Sequence, residues 1–363
     1  HDFVTLLLAR AMLGLGLGIG IATVTIYISE VAPAHSRGFY ASLEDLFLNI
    51  GIPLGFISSA LLMGVENDWR IMVGLGAIPA GMVALAVMTP YFPESPRYLL
   101  SVGRKEEAQR VLLELLSGDA EEMTRVMQSW THSSDETCTW AEAFEEFRGG
   151  HRKQAIAGFG VGFMQMLSGI SVATTFSTLM LTELGMTSRA AINATVVIGI
   201  FKMISILVSA FFLMDMWGRR PLLILSGASM CGSSAFLFFV CCCSGLGPAW
   251  AAFGLALFSA GFSVGMGPAT YVYIAEVFGT RVRSKGVACS LFCSRSVQVF
   301  FNLVTPVAIV AYGTSSIWLF LTAMNVITTV FFIVFCPETK GHTLELMSSA
   351  FDEEKTIKLM QAG

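Results

Sequence analysis

Four stretches of this chain contain no Asp, Glu, Lys or Arg at all: residues 71–93, 154–182, 221–275 and 296–337. A helix needs about 20 apolar residues to cross the hydrocarbon core of a bilayer. The first two stretches each hold one such span, and the last two each hold two. No soluble core accounts for uninterrupted runs of this length, so the chain reads as an all-α membrane protein. Charged residues make up 13% of the whole, about half the share of a soluble domain. The net charge of −4 says little about partners, because most of the surface faces lipid. The 35 glycines read as helix-packing residues, which are commoner in membrane helices than in soluble ones.

Splitting the apolar runs at their turn residues predicts nine spans, at 4–30, 38–63, 71–92, 154–182, 191–214, 221–243, 250–277, 287–311 and 317–336. Between the third and fourth lies a charged segment, 93–153, with three predicted amphipathic helices at 104–116, 119–130 and 140–148. Lys and Arg gather on one face, at Arg37, within 97–153, at Arg219, Arg220, Arg281, Arg283 and Lys285, and in the tail; the other face has only Arg70 and Arg189. The positive-inside rule makes the crowded face cytoplasmic.

An internal repeat organises the chain. Tyr27-Ile28-Ser29-Glu30-Val31 recurs as Tyr273-Ile274-Ala275-Glu276-Val277, and Arg37 recurs as Arg283 at the same offset. Pro93-Glu94-Ser95 recurs as Pro337-Glu338-Thr339 at nearly that offset. Parallel repeats of this size imply two homologous halves. The second half, 154–336, carries six spans, while its counterpart, 1–92, carries three that match the last three of the second. The chain opens with His1 and is therefore expected to be truncated: a fragment with about nine of twelve membrane helices and the N-terminal three missing. The expected organisation is 1–92, a cytoplasmic linker at 93–153, the six-helix half at 154–336 and a cytoplasmic tail at 337–363.

Four motifs carry a resemblance. Tyr27 to Glu30 followed by Arg37-Gly38, Pro93-Glu94-Ser95-Pro96-Arg97, Asp215-Met216-Trp217-Gly218-Arg219-Arg220, and Pro337-Glu338-Thr339-Lys340-Gly341 resemble the signatures of the sugar-porter family of the major facilitator superfamily. Trp69-Arg70-Ile71-Met72, Gly76-Ala77-Ile78-Pro79 and Asn49-Ile50-Gly51-Ile52 make the chain most similar to plant-type polyol and monosaccharide proton symporters. The resemblance implies a major facilitator fold and transport of a monosaccharide or polyol by alternating access.

Read for their chemistry, Glu30, Arg37, Glu94, Arg97, Asp215, Arg219, Arg220, Glu276, Arg281, Arg283 and Glu338 all fall at cytoplasmic helix ends. Opposite charges there suit a latch that pairs across the two halves when the inner side is shut; exposed pairs contribute only about 0–1 kcal/mol each, weak enough to open. Positive-inside anchoring is the alternative, and the recurrence of Glu and Arg in both halves favours the latch. Four ionisable residues are expected to lie inside the bilayer, away from the span ends: Arg10, Asp45, Lys202 and Arg295. Each costs at least about 2.5–3.5 kcal/mol at a helix centre and is a functional candidate by default. For Arg10, the resemblance implies an anionic partner on a first helix and a part in proton coupling. Asp45 and Lys202 are equally consistent with a buried structural pair.

The resemblance places the solute site on the first helix of the second half and on a later glycine-proline helix. Here those positions read Gln165-Met166-Leu167-Ser168-Gly169-Ile170-Ser171, then Thr175-Phe176, and Gly267-Pro268-Ala269-Thr270-Tyr271. Gln165, Ser168, Ser171 and Thr175 are the polar candidates, Tyr271 the aromatic wall, and Gly267-Pro268 a weak point where the helix bends. The family's second amide, its asparagine and its tyrosine pair are replaced by Met166, Ser171 and Thr175, which makes glucose itself a poor expectation. Gly14, Gly16, Gly18 and Gly20 are small-residue packing pairs within an apolar helix and not a phosphate loop, which needs a preceding strand.

The eight cysteines show no metal spacing, the histidines fall in cytoplasmic segments, and Asn193-Ala194-Thr195 lies at a membrane boundary. No nucleophile–base pair stands out, so an enzyme is disfavoured and no cofactor or metal is expected. The expected partners are a sugar or polyol, a proton and the bilayer, with the plasma membrane as location. A facilitative carrier is the runner-up; a non-transporting sugar sensor ranks below it, because such sensors tend to have long tails and only a short one follows Pro337.

Overall fold

A computed structural model describes residues 3–31, 37–89, 92–116, 119–133, 139–149, 152–243, 246–278 and 282–339. The described residues form helices and connections. They run α1 (Phe3–Val31), α2 (Arg37–Leu62), α3 (Asp68–Leu75), α4 (Ala77–Val87), α5 (Pro96–Ser101), α6 (Lys105–Leu115), α7 (Ala120–Ser133) and α8 (Trp140–Arg148). Then follow α9 (Arg152–Leu167), α10 (Ile170–Glu183), α11 (Ser188–Val208), a π-turn at Ser209–Leu213, α12 (Met214–Trp217), α13 (Arg219–Cys242), α14 (Pro248–Val264), α15 (Met266–Val277) and α16 (Arg283–Phe335).

Seven helical segments among the described residues are long and apolar enough to cross a membrane. This corrects the expected count of about nine separate spans. Two predicted spans do not count separately, for different reasons. In α2, a helix of 26 residues from Arg37 to Leu62, the apolar stretch among the described side chains is Leu46–Leu62, shorter than a crossing needs. The last two predicted spans are two helices that meet at the non-helical backbone of Gly313 (φ 78°, ψ 162°) within the continuous stretch Arg283–Phe335, labelled α16, and fold back so that Phe301 and Phe320 stand 6.4 Å apart. Two further segments are each a pair of helices joined at a break: Arg152–Glu183 and Pro248–Val277.

The chain divides into two compact units, residues 1–48 with 69–136 and residues 49–68 with 137–363. In the first, the Pro93-Glu94-Ser95-Pro96 motif starts α5. Ser95 accepts from the Tyr98 amide at 3.2 Å, Pro96 occupies the first helical turn where its missing N–H costs nothing, and the Tyr27 hydroxyl donates to the Pro93 carbonyl at 2.9 Å. The apolar windows of α1 and α3–α4 are unburied within the protein, as suits helices apolar on every side that face lipid.

The second unit has a continuous core in which Phe258, Trp318, Leu222, Leu223 and Tyr273 are fully enclosed. Phe258 and Trp318 meet edge to face at 5.5 Å. Close approach of α9 and α16 is permitted by Gly162, where a Cβ would stand 2.8 Å from the Ser290 carbonyl oxygen. The amphipathic helix α8 is closed by a reciprocal Thr139–Glu142 capping box and docks Phe147 against Phe278 and Phe159 at 5.7 and 5.2 Å.

Candidate functional site

The two broken helices of the second unit carry the site. The first break follows Ser168, where Gly169 adopts φ +84°, a conformation open to glycine and strained for other residues. The second lies at Gly265, two residues before the Gly267-Pro268 pair at which the sequence predicts a bend. Breaking a helix strands backbone donors and acceptors that must be paired again inside a membrane protein. Around Gly265, neighbouring helices do this completely enough to hold the break open. Pro268 has no N–H for the Val264 carbonyl, and Ser209 donates to it at 2.5 Å. Ser226 donates to the Gly261 carbonyl at 2.7 Å and accepts from the Met266 amide at 3.1 Å. Gln165 adds a tie to the first turn of α15, its Nε2 donating to the Met266 carbonyl at 3.1 Å. The two breaks are thus tied to each other by one side chain, itself buried.

The candidate solute residues separate into groups. Gln165, Gly267 and Pro268 lie together at the joined breaks, buried. Ser171 is buried with a hydroxyl lacking a hydrogen-bond partner, while Thr175 is exposed. Ser168 is turned inward, its hydroxyl donating to the Gln165 carbonyl at 2.6 Å. Tyr271 is exposed and accepts at its hydroxyl from Arg295 at 3.4 Å. The other arm of the Arg295 guanidinium donates to Gln298 at 2.8 Å. Sequence reading placed Tyr271 and Arg295 in different roles and missed Gln298, although Gln298 stands one turn from Arg295 on the same helix.

Lys202 is buried on α11, with its ammonium 5.7 Å from the Phe262 ring. It lines a small cavity with the hydroxyl residues Thr174, Ser177, Thr195 and Ser259. Arg10 is exposed on α1, and no ion pair involves it among the described residues. The side chains of Asp45, Glu30, Arg37, Arg97 and Asp215, and the whole of Arg281, lie outside the described residues, so the suggested Asp45–Lys202 pair does too.

At the cytoplasmic end of the second unit the motif residues form one network. Arg219 Nη2 meets Glu276 Oε1 at 2.9 Å, and Thr339 donates its hydroxyl to Glu276 Oε2 at 2.6 Å. Glu338 accepts from the backbone amides of Arg219 and Arg220 at 2.9 and 3.1 Å, which caps α13 from a distant part of the chain. Gly218, at φ +85°, leaves room for that carboxylate: a Cβ there would lie 2.8 Å from it. Arg220 donates to the Ile333 carbonyl at 2.9 Å and Arg283 to the Phe278 carbonyl at 3.4 Å. Glu94 is exposed in the first unit. The resolved ion pair therefore joins elements within one unit, whereas the sequence suggested pairs across two halves.

Helices broken at buried, re-paired backbone, with polar side chains gathered at the breaks, define a membrane carrier. The family model described as sugar (and other) transporter matches residues 1–351, and the chain belongs to that family. It is a multi-pass membrane transporter of a family described by sugars and other solutes, not a family of enzymes, and its fold is that of the major facilitator superfamily. The chain is 33% identical over 366 residues to probable polyol transporter 4 of Arabidopsis thaliana, covering 96% of this chain and 68% of that one. It is 32% identical over 377 residues to polyol transporter 5 of the same plant, covering 96% and 69%. Among solved structures it is similar to the proton:xylose symporter XylE of E. coli, with a TM-score of 0.69, 23% identity and coverage of 90% and 69%.

Proposed function

We propose that this carrier moves a monosaccharide or linear polyol across the plasma membrane together with a proton. The observation that carries the solute class is the set of polar side chains on the two broken helices and beside them. Gln165, Ser171, Thr175, Tyr271 and the Arg295–Gln298 pair offer hydrogen-bond donors and acceptors without a carboxylate. Sugar hydroxyls leave water at a cost unless each finds such a partner, and the polyol names of the most similar relatives point the same way. Ser168 supports the site from within the protein.

Proton coupling rests on Arg10, Lys202 and Arg295, charges that a membrane interior tolerates only for use, and on the name of XylE as a proton symporter. Asp45 belongs to the same proposal. Facilitated diffusion is the second reading.

The proposed cytoplasmic gate comprises Glu30, Arg37, Glu94, Arg97, Asp215, Arg219, Arg220, Glu276, Arg281, Arg283 and Glu338. In it, the Arg219–Glu276 pair opens and closes with the inner side. The proposed organisation is 1–92 and 154–336 as the two halves, 93–153 as cytoplasmic linker and 337–363 as tail.

Uptake of labelled sorbitol, xylitol and glucose by proteoliposomes tests the reading, with an imposed pH gradient and with a protonophore. Accumulation that collapses with the protonophore is expected; uptake indifferent to pH and to protonophore selects the facilitative reading. Gln165→Ala is expected to weaken apparent affinity by about 0.5–1.5 kcal/mol, the contribution of one hydrogen bond, with normal surface expression. An unchanged affinity removes Gln165 from the site.

A further inference from the structure

The break after Ser168 is held from a second side by a residue with no assigned role. Asn325 lies on the last stretch of α16 and is fully buried. Its Nδ2 donates to the Ser168 carbonyl at 3.1 Å and to the Leu321 carbonyl of its own helix at 2.8 Å. Both neighbours are acceptors, so the amide nitrogen must face them, which settles the orientation of the side chain. One turn before Asn325, Leu321 packs where a Cβ on Gly169 would stand. The positive φ of Gly169 and the contact with Leu321 therefore require the same residue, glycine, for separate reasons.

An amide here carries a cost. Residues 296–337 contain no charge, and the Asn325 Oδ1 is buried with no hydrogen-bond partner. Leaving such an acceptor unpaired is unfavourable, and a leucine would pack the same helix without it. What the amide supplies is a hydrogen for a carbonyl that the break at Gly169 releases. Opposite it, Gln165 ties the same break to Met266 at Gly265. The joint between α9 and α10 is gripped on one side by α16 and on the other by α15.

We propose that Asn325 is a positioning residue for transport: it clamps the Ser168–Gly169 joint and so sets how freely α10 swings and where Gln165 stands. Its bearing on solute rests on the site proposed above, whereas the clamp itself is a local property of the joint.

Hydrogen–deuterium exchange on the full chain in lipid nanodiscs, for wild type, Asn325→Leu and Asn325→Asp, separates the two. In the Leu variant, exchange of the amides at 168–174 is expected to quicken by about three- to tenfold, the range of one interhelical hydrogen bond in a membrane protein, while α13 and α14 keep wild-type rates. An ionised Asp cannot donate, so Asn325→Asp should behave like Leu at high pH and recover protection as acid restores a donor. Solute uptake by the Leu variant should show a raised KM at unchanged protein abundance.

Unchanged exchange at 168–174 in both variants overturns the clamp. So does a rise spread evenly over α13 and α14, which marks a general packing residue. Faster local exchange with unaltered KM and maximal rate overturns the role in transport. Failure of the Leu variant to fold leaves the Asp variant and its pH dependence to decide. Should the wild type take up no sugar or polyol, the proposed function fails, and the local exchange still decides the clamp.

Discussion

Removing the Glu338 carboxylate should destabilise the second unit through the start of α13. That carboxylate sits at the N-terminus of a 24-residue helix, accepts from the first two amides of the helix, and also accepts from the Thr339 amide at 3.0 Å. A lost N-cap side chain costs about 0.5–2 kcal/mol. The attraction between an anion and the positive end of the helix dipole adds up to about 2 kcal/mol where the group is partly buried. Glu338 is half-buried, so Glu338→Ala is expected to lose about 2 kcal/mol in all, near the middle of the capping and dipole ranges together. Glu338→Gln keeps one accepting oxygen but loses the charge and the second acceptor, since its Nε2 cannot accept from an amide, and should lose about 1–2 kcal/mol, less than Ala. Glu338→Lys places a cation at the same end and should be worse than Ala. At about 2–4 °C per kcal/mol for a unit of this size, thermal unfolding of purified protein in one detergent at fixed pH should read wild type > Gln > Ala > Lys, with Ala about 4–8 °C below wild type. Transition temperatures for Gln and Ala within about 1 °C of wild type would refute the capping argument, because no loss of that size fits the ranges given. A Lys variant as stable as Ala would refute the dipole contribution alone.

Three further outcomes follow from the same geometry. Gly265→Ala should reduce folded yield, since its Cβ would collide with the Leu222 carbonyl oxygen and lie 2.8 Å from the Ser226 side chain; overpacking of this kind costs about 1–3 kcal/mol, and wild-type yield and thermal stability would contradict it. The Arg219–Glu276 pair is 17% and 26% exposed at its side chains, so a double-mutant cycle with Arg219→Ala and Glu276→Ala should give a coupling of about 1 kcal/mol, at the upper end for solvent-screened pairs; a coupling of zero returns these charges to positive-inside anchoring. Thr339→Val should lose about 1 kcal/mol by deleting the hydroxyl that holds Glu276 Oε2, and Thr339→Ser should retain it; equal thermal stability of the two variants would show that the hydroxyl is idle.

Hydropathy is a local property, and what it governs was legible in the residues alone. Charge-free runs, the positive-inside asymmetry and the amphipathic pattern at 140–148 describe how each segment meets water or lipid, and no distant contact is needed to read them. The motifs that mark the family are likewise short strings, and the family they pointed to is the one the chain belongs to. What hydropathy leaves out is where an apolar run breaks: at Gly169, Gly265 and Gly313 the backbone leaves the helix inside stretches that are apolar throughout.

The break in the glycine-proline helix falls at Gly265 because Ser209 and Ser226, from two other segments, take the carbonyls and the amide it frees, while Gln165 ties down the first turn beyond it. Pro268 alone names only one missing hydrogen bond and leaves the position of the bend open. Glu338 reads from sequence as a latch charge, and only packing brings it to the amides of Arg219 and Arg220, across more than a hundred residues. Asn325 gives no signal in a hydropathy trace; its partner is a carbonyl that becomes available only once Gly169 has turned. Burial out of water is decided residue by residue along the chain, whereas satisfaction of each buried polar atom is decided in three dimensions, and the site is made of the second kind.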